Sequence, residues 1–187
     1  MLDKLLSLDV QLLVFLNGLG SEAYDGLWLF ITKQFNWIPF FLFLFYIIYK
    51  KLGGKQTLYV LLAIAVLILI TDQFTNLVKY SFQRLRPCNN PDINTIIRVV
   101  KRQKSFSFFS GHAANSMAAA MFIYLLIKPY FKYAFFLFLW PLIFAYSRIY
   151  LGLHYPLDIF CGYLFGILTG GFVFRVYQFS QIKYFPL

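Results

Sequence analysis

The sequence is poor in charged residues, and this scarcity excludes most soluble folds. Only 13% of its 187 residues are Asp, Glu, Lys or Arg, whereas 60% are hydrophobic. A typical soluble domain carries about 25% charged residues, and a soluble chain of this length could not bury so much apolar surface. A lipid bilayer accommodates that surface, so the composition predicts an integral membrane protein.

Acidic residues and cysteines are scarcer still. Seven acidic residues oppose 17 basic ones, which gives a formal net charge of +10. The basic residues lie between apolar runs, so we expect anionic lipid headgroups or a phosphate-bearing substrate as partners, and no nucleic acid. The two cysteines, Cys88 and Cys161, are too few for a disulfide framework or a zinc site, so both are expected to be unpaired.

Long apolar runs dominate what remains and predict membrane-spanning helices. The five segments are residues 37–49, 57–78, 113–127, 131–146 and 155–177. Several fall short of the roughly 20 residues that cross the hydrocarbon core, but flanking Lys, Tyr and Trp side chains can reach the interface. The sequence predicts one all-α domain over residues 1–187, a polytopic membrane helical bundle with its transmembrane core at 36–178.

The first 24 residues differ from these segments. Their leucines alternate with polar residues such as Asp3 and Asp9. This mixture favours an amphipathic helix that lies at the membrane interface. A sixth span is the alternative.

Two short basic connections indicate the orientation. Residues 50–55 and 128–132 are rich in lysine, and the positive-inside rule assigns such loops to the cytoplasm. The long segment 79–112 then lies on the opposite side.

Topology brings the remaining polar residues to that opposite side. If the spans alternate in direction, the second and fourth end where the third and fifth begin. The candidate site residues are Lys79, Arg86, Ser110, Gly111, His112, Arg148, His154 and Asp158.

The residue types in this set suit phosphate chemistry. Guanidinium groups match phosphate oxygens, and the start of the third span offers backbone N–H groups and the positive end of a helix dipole. The only two histidines belong to the set, and Asp158 follows His154 by four residues, which is one helical turn. A carboxylate there orients an imidazole.

One further acid lies in the second span. Asp72 is an intramembrane carboxylate, which by default is a functional candidate. A structural hydrogen bond to a neighbouring polar residue explains it equally well, so Asp72 is left out of the catalytic set.

Three stretches resemble the signature of the PAP2 (type-2 phosphatidic acid phosphatase) superfamily. The matching residues are Lys79 with Arg86-Pro87, then Ser110-Gly111-His112, then Ser147-Arg148 with His154 and Asp158. One departure is Phe109, where the family usually has proline; we expect activity to survive it.

The resemblance implies a lipid phosphatase with a phosphohistidine intermediate. His154 would attack phosphorus, Asp158 would orient it, and His112 would protonate the leaving oxygen. Lys79, Arg86, Arg148, Ser110 and Gly111 would bind the phosphoryl group.

The resemblance also implies a bacterial inner-membrane enzyme whose site faces the periplasm or exterior. Undecaprenyl diphosphate is the first expected substrate, and phosphatidylglycerophosphate, phosphatidic acid and lipid A follow.

The sequence adds an expectation of its own about metals. Seven acidic residues cannot easily surround two metal ions, so no metal or other cofactor is expected.

Two other functions stay open at this stage. A small anion transporter would need helices broken at mid-membrane and an inverted repeat, and neither is visible. A membrane scaffold without chemistry leaves the His154/Asp158 pair unexplained. The basic stretch 98–104 is either a second phosphate contact or a solvated loop that meets headgroups.

Overall fold

The computed structural model describes the backbone of residues 2–184 and the side chains of residues 3–182, and this part of the chain contains no strand. The predicted all-α fold is therefore confirmed. The α-helices within the described residues are α1 (Leu2–Gly18), α2 (Asp25–Ile31), α3 (Ile38–Phe82), α4 (Gly111–Ile127), α5 (Leu139–Tyr150) and α6 (Pro156–Tyr184). Short 3-10 turns occupy Glu22–Tyr24, Gln34–Trp37, Pro87–Asn89 and Ala134–Phe138.

The residues of α3 form two helical arms joined by a turn. Gly53 has non-helical backbone angles, with φ 77° and ψ 170°, which a residue with a side chain rarely adopts. Leu44 and Val60 line one cavity, although on a straight helix they would be about 24 Å apart. The chain therefore reverses at Gly53, and the two arms, residues 38–52 and 54–82, correspond to the first two predicted spans, except that residue 37 lies in the 3-10 turn before α3.

Two helical stretches are long and apolar enough to cross a membrane. They are Gln34–Asn89 and Pro156–Ile182, each of which contains an apolar 18-residue window, with a mean hydropathy of 2.1 in the first and 1.7 in the second. Two shorter apolar stretches, Gly111–Ile127 and Ala134–Tyr150, coincide with the third and fourth predicted spans. The number of crossings, five or six, stays a prediction.

Helices α4 and α6 pack with their backbones almost in contact. Gly162 and Gly166 of α6 face α4, and a Cβ atom built on them would lie 2.8 Å from the Ser110 oxygen and 2.6 Å from the Ala114 oxygen, respectively. Small residues permit such approach between apolar helices. The close packing joins the start of α4 to the start of α6, where the Ser110 N–H donates to the Asp158 carbonyl at 3.0 Å.

Helix α1 turns polar residues inward. Asp9, Leu13 and Asn17, spaced one turn apart, are buried, whereas leucines such as Leu8 are exposed. The Asn17 amide donates to the carbonyls of Ile149 and Tyr150 at 3.0 and 2.9 Å, which ties α1 to the end of α5. The helix itself agrees with the prediction, but its buried face is more polar than a simple amphipathic pattern suggests. Whether it lies at the interface or crosses the membrane stays open.

Candidate active site

The predicted site residues all lie at one end of the helices. Their positions are the last turn of α3 (Lys79), the loop after it (Arg86), the start of α4 (Ser110, Gly111, His112), the last turn of α5 (Arg148), the α5–α6 connection (His154) and the first turn of α6 (Asp158). The convergence inferred from alternating spans is thus present in the fold.

His154 and Asp158 form a buried pair. The His154 Nδ1 lies 3.2 Å from the Asp158 Oδ2, and the same oxygen accepts the Tyr155 N–H at 3.0 Å. Both side chains are almost fully buried. Because α6 begins at Pro156, Asp158 caps the start of its own helix, and this cap fixes the carboxylate beside the imidazole.

Arg86 determines the tautomer of His154. The Arg86 Nη1 lies 2.8 Å from the His154 Nε2. A guanidinium has donors only, so Nε2 accepts and Nδ1 carries the proton that it donates to Asp158. Burial, and then the charges of Arg86 and Arg148, lower the pKa of His154 well below its ordinary value. The ring is therefore neutral, with the lone pair of Nε2 directed at a cation.

Arg86 is held by three further hydrogen bonds. Its Nε donates to the Ser105 carbonyl at 2.7 Å, its Nη2 to the Ser105 Oγ at 2.9 Å, and its Nη1 to the Leu153 carbonyl at 2.9 Å. Burial lowers the pKa of Arg86 to about 10. Arg86 therefore remains charged at neutral pH and is locked in place.

Arg148 is a second buried cation of the site, and one of its N–H donors has no partner among the described residues. Its Nη1 donates to the Thr32 Oγ1 and its Nη2 to the Gln103 Oε1, both at 2.8 Å. Within the described residues, its buried Nε has no hydrogen-bond partner. A buried, unpartnered donor on a cation is costly, and an anion would satisfy it.

The N-terminus of α4 completes a cationic pocket. The Ser110 Oγ accepts the Ala113 N–H and caps the helix. The Lys79 ammonium would lie 3.8 Å from a Cβ built on Gly111, so its charge adds to the positive end of the helix dipole. His112, in the same turn, stacks on Phe144 with ring centroids 5.0 Å apart.

Two charged residues that the sequence did not single out complete the site. Arg84 donates from Nη1 to the Asp158 Oδ1 and from Nη2 to the Asp9 Oδ2, both at 2.7 Å. The Asp9 Oδ1 accepts the Leu157 N–H at 2.8 Å. A usable signal did exist, since Asp9, Leu13 and Asn17 recur at helical spacing and mark one inward face.

Comparison with known proteins agrees with this geometry. Residues 56–182 match the family model described as the PAP2 superfamily, which is more than half of the chain. The chain belongs to the PAP2 superfamily. It is a phosphatase, in agreement with the signature residues and with the names of its relatives.

Several of those relatives are named for their substrates. A lipid A 4'-phosphatase of Bacteroides thetaiotaomicron is 36% identical over 179 residues, which cover 93% of this chain and 78% of the relative. A lipid A 4'-phosphatase of Porphyromonas gingivalis is 30% identical, with coverages of 98% and 78%. An undecaprenyl-diphosphatase of Sulfolobus acidocaldarius is 28% identical, with coverages of 88% and 76%. Undecaprenyl diphosphate, the first expected substrate, is therefore not confirmed.

A solved structure shares the fold. The crystal structure of a transmembrane PAP2 type phosphatidylglycerolphosphate phosphatase from Bacillus subtilis superposes with a TM-score of 0.71 at 18% identity, and covers 98% of this chain and 90% of that one. At this identity the likeness supports the helical arrangement alone.

In this PAP2 phosphatase an apolar cavity of about 350 Å³ adjoins the site. Both arms of α3 line it, for example through Leu44 and Val60, and so do α4 and α5. Ser116, one turn below His112, and Phe144, which stacks on His112, form part of the wall. The cavity therefore begins directly beside the cationic pocket.

Phe109, in place of the usual proline, has a packing role. Its side chain is buried and contacts Phe74 of α3 and Phe165 of α6, with ring centroids 6.5 and 5.2 Å apart. The Phe109 side chain thus packs the turn before α4 against α3 and α6, and it adds no polar group to the cationic pocket.

Other polar residues lie outside the pocket. Asp72 is exposed and accepts the Asn76 amide at 3.4 Å, which suits its omission from the catalytic set. In the basic stretch, Arg98 pairs with Asp25 at 2.9 Å and Arg102 donates to the Cys88 carbonyl. These contacts hold the loop to the protein, and a role of the stretch in binding a second phosphate stays a prediction.

The donor set at the site suits direct phosphoryl transfer. Residues 3–182 contain no group of three or more His, Cys, Asp and Glu side chains that could hold a metal ion.

Cys88 and Cys161 are both free thiols, as predicted.

Proposed function

We propose that this chain is a metal-independent histidine phosphatase that removes the 4'-phosphate of lipid A at the membrane surface. One observation carries the chemistry: the neutral His154 imidazole directs its Nε2 lone pair at Arg86, while Asp158 holds the opposite nitrogen. This is the arrangement of an oriented nucleophile in front of an anion-binding cation.

In the first step His154 takes the phosphoryl group. Its Nε2 lone pair forms a bond to phosphorus as the bond from phosphorus to the lipid oxygen breaks. The negative charge of the bound phosphate favours the protonated form of His112, which donates its proton to that oxygen, so the lipid leaves as an alcohol. The imidazole becomes cationic on phosphorylation, and the Asp158 carboxylate at 3.2 Å stabilises that charge.

In the second step water releases phosphate. Water attacks phosphorus and gives a proton to His112, and the electron pair of the N–P bond returns to Nε2. The sum of both steps is hydrolysis of one phosphate ester, with both histidines restored.

Cations around the pocket support stabilisation of the transferred charge. The Arg86 Nη1 would exchange its hydrogen bond to His154 for one to a phosphate oxygen. The unpartnered Nε of Arg148, the Lys79 ammonium and the N–H groups of Gly111 and His112 add further donors. Pre-organised donors of this kind contribute several kcal/mol, since removal of one typically costs about 2.7–4 kcal/mol.

Relatives and the cavity together support the choice of substrate. The two relatives that are at least 30% identical are named lipid A 4'-phosphatase. The 350 Å³ apolar cavity beside His112 suits the lipid part of a substrate whose phosphate enters the cationic pocket. Undecaprenyl diphosphate is the second candidate, favoured by the 28% identical Sulfolobus acidocaldarius relative.

We place the protein in a bacterial inner membrane, with the site facing the periplasm. The basic connections support this orientation. Lys51, two residues before the turn at Gly53, lies 5.6 Å from the Phe131 ring centroid, so both lysine-rich stretches meet at the end opposite the site. The positive-inside rule assigns that end to the cytoplasm.

The test is phosphate release by the detergent-purified protein in excess EDTA. We expect the highest kcat/KM on lipid A among a panel that includes undecaprenyl diphosphate, phosphatidylglycerophosphate and phosphatidic acid. His154→Ala should abolish release, and Asp3→Asn, which removes an exposed charge on α1, should leave it unchanged. A higher kcat/KM on undecaprenyl diphosphate would reverse the choice of substrate, and loss of activity in EDTA would contradict metal independence.

A further inference from the structure

Arg84 is clamped between two carboxylates from opposite ends of the sequence. It bonds Asp158 and Asp9 at 2.7 Å each, and its Cζ lies 3.7 Å from the centroid of the Tyr155 ring. The two ion pairs and the contact with the Tyr155 ring therefore fix the position and the plane of the Arg84 guanidinium group. A continuous chain of contacts therefore runs from Asp9 through Arg84 and Asp158 to His154.

Capping alone does not explain Asp9. Its Oδ1 accepts the Leu157 N–H, which stabilises the start of α6 as any N-terminal acid can. The other oxygen, Oδ2, is committed to Arg84, and the side chain is almost fully buried. Both oxygens of this buried acid are therefore committed, one of them to a cation that contacts Asp158.

We propose that Asp9 and Arg84 are positioning residues for His154, acting through Asp158. The terminal torsion of an aspartate is broad, and the hydrogen bonds from His154 and from the Tyr155 N–H both fall on the same oxygen, Oδ2, so they anchor the carboxylate at one oxygen only. Arg84 occupies Oδ1 and thereby holds Oδ2 towards His154 Nδ1, while Asp9 keeps the Arg84 fork in the required plane.

This inference rests on the proposed role of His154, but it extends the site to a new part of the chain. The family match covers residues 56–182, so Asp9 lies before it. The catalytic pair would thus depend on helix α1, which the signature motifs do not include.

A double-mutant cycle tests the proposal. Asp9→Asn keeps an oxygen that can accept from Leu157 but removes the charge that holds Arg84; Arg84→Gln removes the link itself. We expect each to lower kcat by about 10- to 100-fold, as loss of groups that orient a functional ligand does, with KM changed less than about twofold. In the Arg84→Gln background, Asp9→Asn should have no further effect on kcat. Asp3→Asn, an exposed acid on the same helix, is the matched control and should behave as wild type.

Each result bears on the proposal. Unchanged kcat in Asp9→Asn and Arg84→Gln overturns it, and so do fully additive losses, because a purely structural cap would weaken both backgrounds equally. If either variant fails to fold in detergent, Arg84→Lys replaces it: this variant keeps the charge without the fork, and full kcat in it also overturns the proposal. Asp158→Asn distinguishes failure of the proposed function from failure of this inference. Full activity in Asp158→Asn would contradict the proposed function itself. A large loss in Asp158→Asn, with normal activity in the Asp9 and Arg84 variants, would contradict only this inference.

Discussion

Gly166 provides a sharp test of how closely α4 and α6 pack. A Cβ atom at this position would lie 2.6 Å from the Ala114 carbonyl oxygen and 2.9 Å from the Ala118 nitrogen. Ordinary Cβ contacts begin near 3.4 Å, so the helices would have to separate by about 0.8 Å. Both neighbours are backbone atoms of a helix, which cannot rotate away as a side chain could.

Gly166→Ala should therefore destabilise the protein. Overpacking of this kind costs about 1–3 kcal/mol, and for a chain of this size that corresponds to a fall in Tm of roughly 2–12 °C. Gly171→Ala is the matched control, because nothing lies within 4 Å of a Cβ there. Thermal unfolding of both variants in one detergent measures the difference. Equal Tm values for the two would show that the helices do not meet at Gly166 and would refute the packing.

Three further predictions concern the pocket and its support. Arg86→Lys removes the guanidinium fork that joins Ser105 to His154, so kcat/KM should fall about 100-fold or more. The control Arg102→Lys, at an exposed position, should have little effect. Comparable rates for both variants would contradict the role of the fork. His154 should stay neutral as the pH falls below about 6.5, because burial and nearby cations lower its pKa. NMR titration of histidine-labelled protein measures this, with the two histidine signals assigned by the variant His112→Asn. Protonation of His154 at or above about pH 6.5 would contradict the prediction. Asn17→Ala removes the four hydrogen bonds of a buried side chain and should lower the free energy of unfolding by about 1–3 kcal/mol, measured by denaturation in detergent. An unchanged value would show that α1 is not anchored there.

Much of the pocket could be predicted because it depends on local and topological rules. Alternating apolar segments place the ends of the second and fourth beside the starts of the third and fifth, and this brings Arg86 to His154. The four-residue spacing of His154 and Asp158 predicts their contact, and the contact is present, although α6 begins at Pro156 and His154 lies in the connection before it. These inferences need no knowledge of how the helices tilt or rotate.

The rest depends on packing that no local rule supplies. Asp9 and Arg84 are 75 positions apart, and their contact exists only because α1 packs across the start of α6. The polar inward face of α1 likewise reflects its hydrogen bonds to the end of α5. The substrate, too, lies beyond the signature residues, because those bind a phosphoryl group whatever lipid carries it.

The most direct measurement is the search for a phosphorylated histidine during turnover. Wild-type protein would be mixed with lipid A labelled at the 4'-phosphate, quenched in alkali and analysed for label on each histidine. We predict label on His154, none on His112, and no label or phosphate release in His154→Ala. Phosphate release by His154→Ala at the wild-type rate, or label on a residue other than His154, would contradict a phosphohistidine at this position.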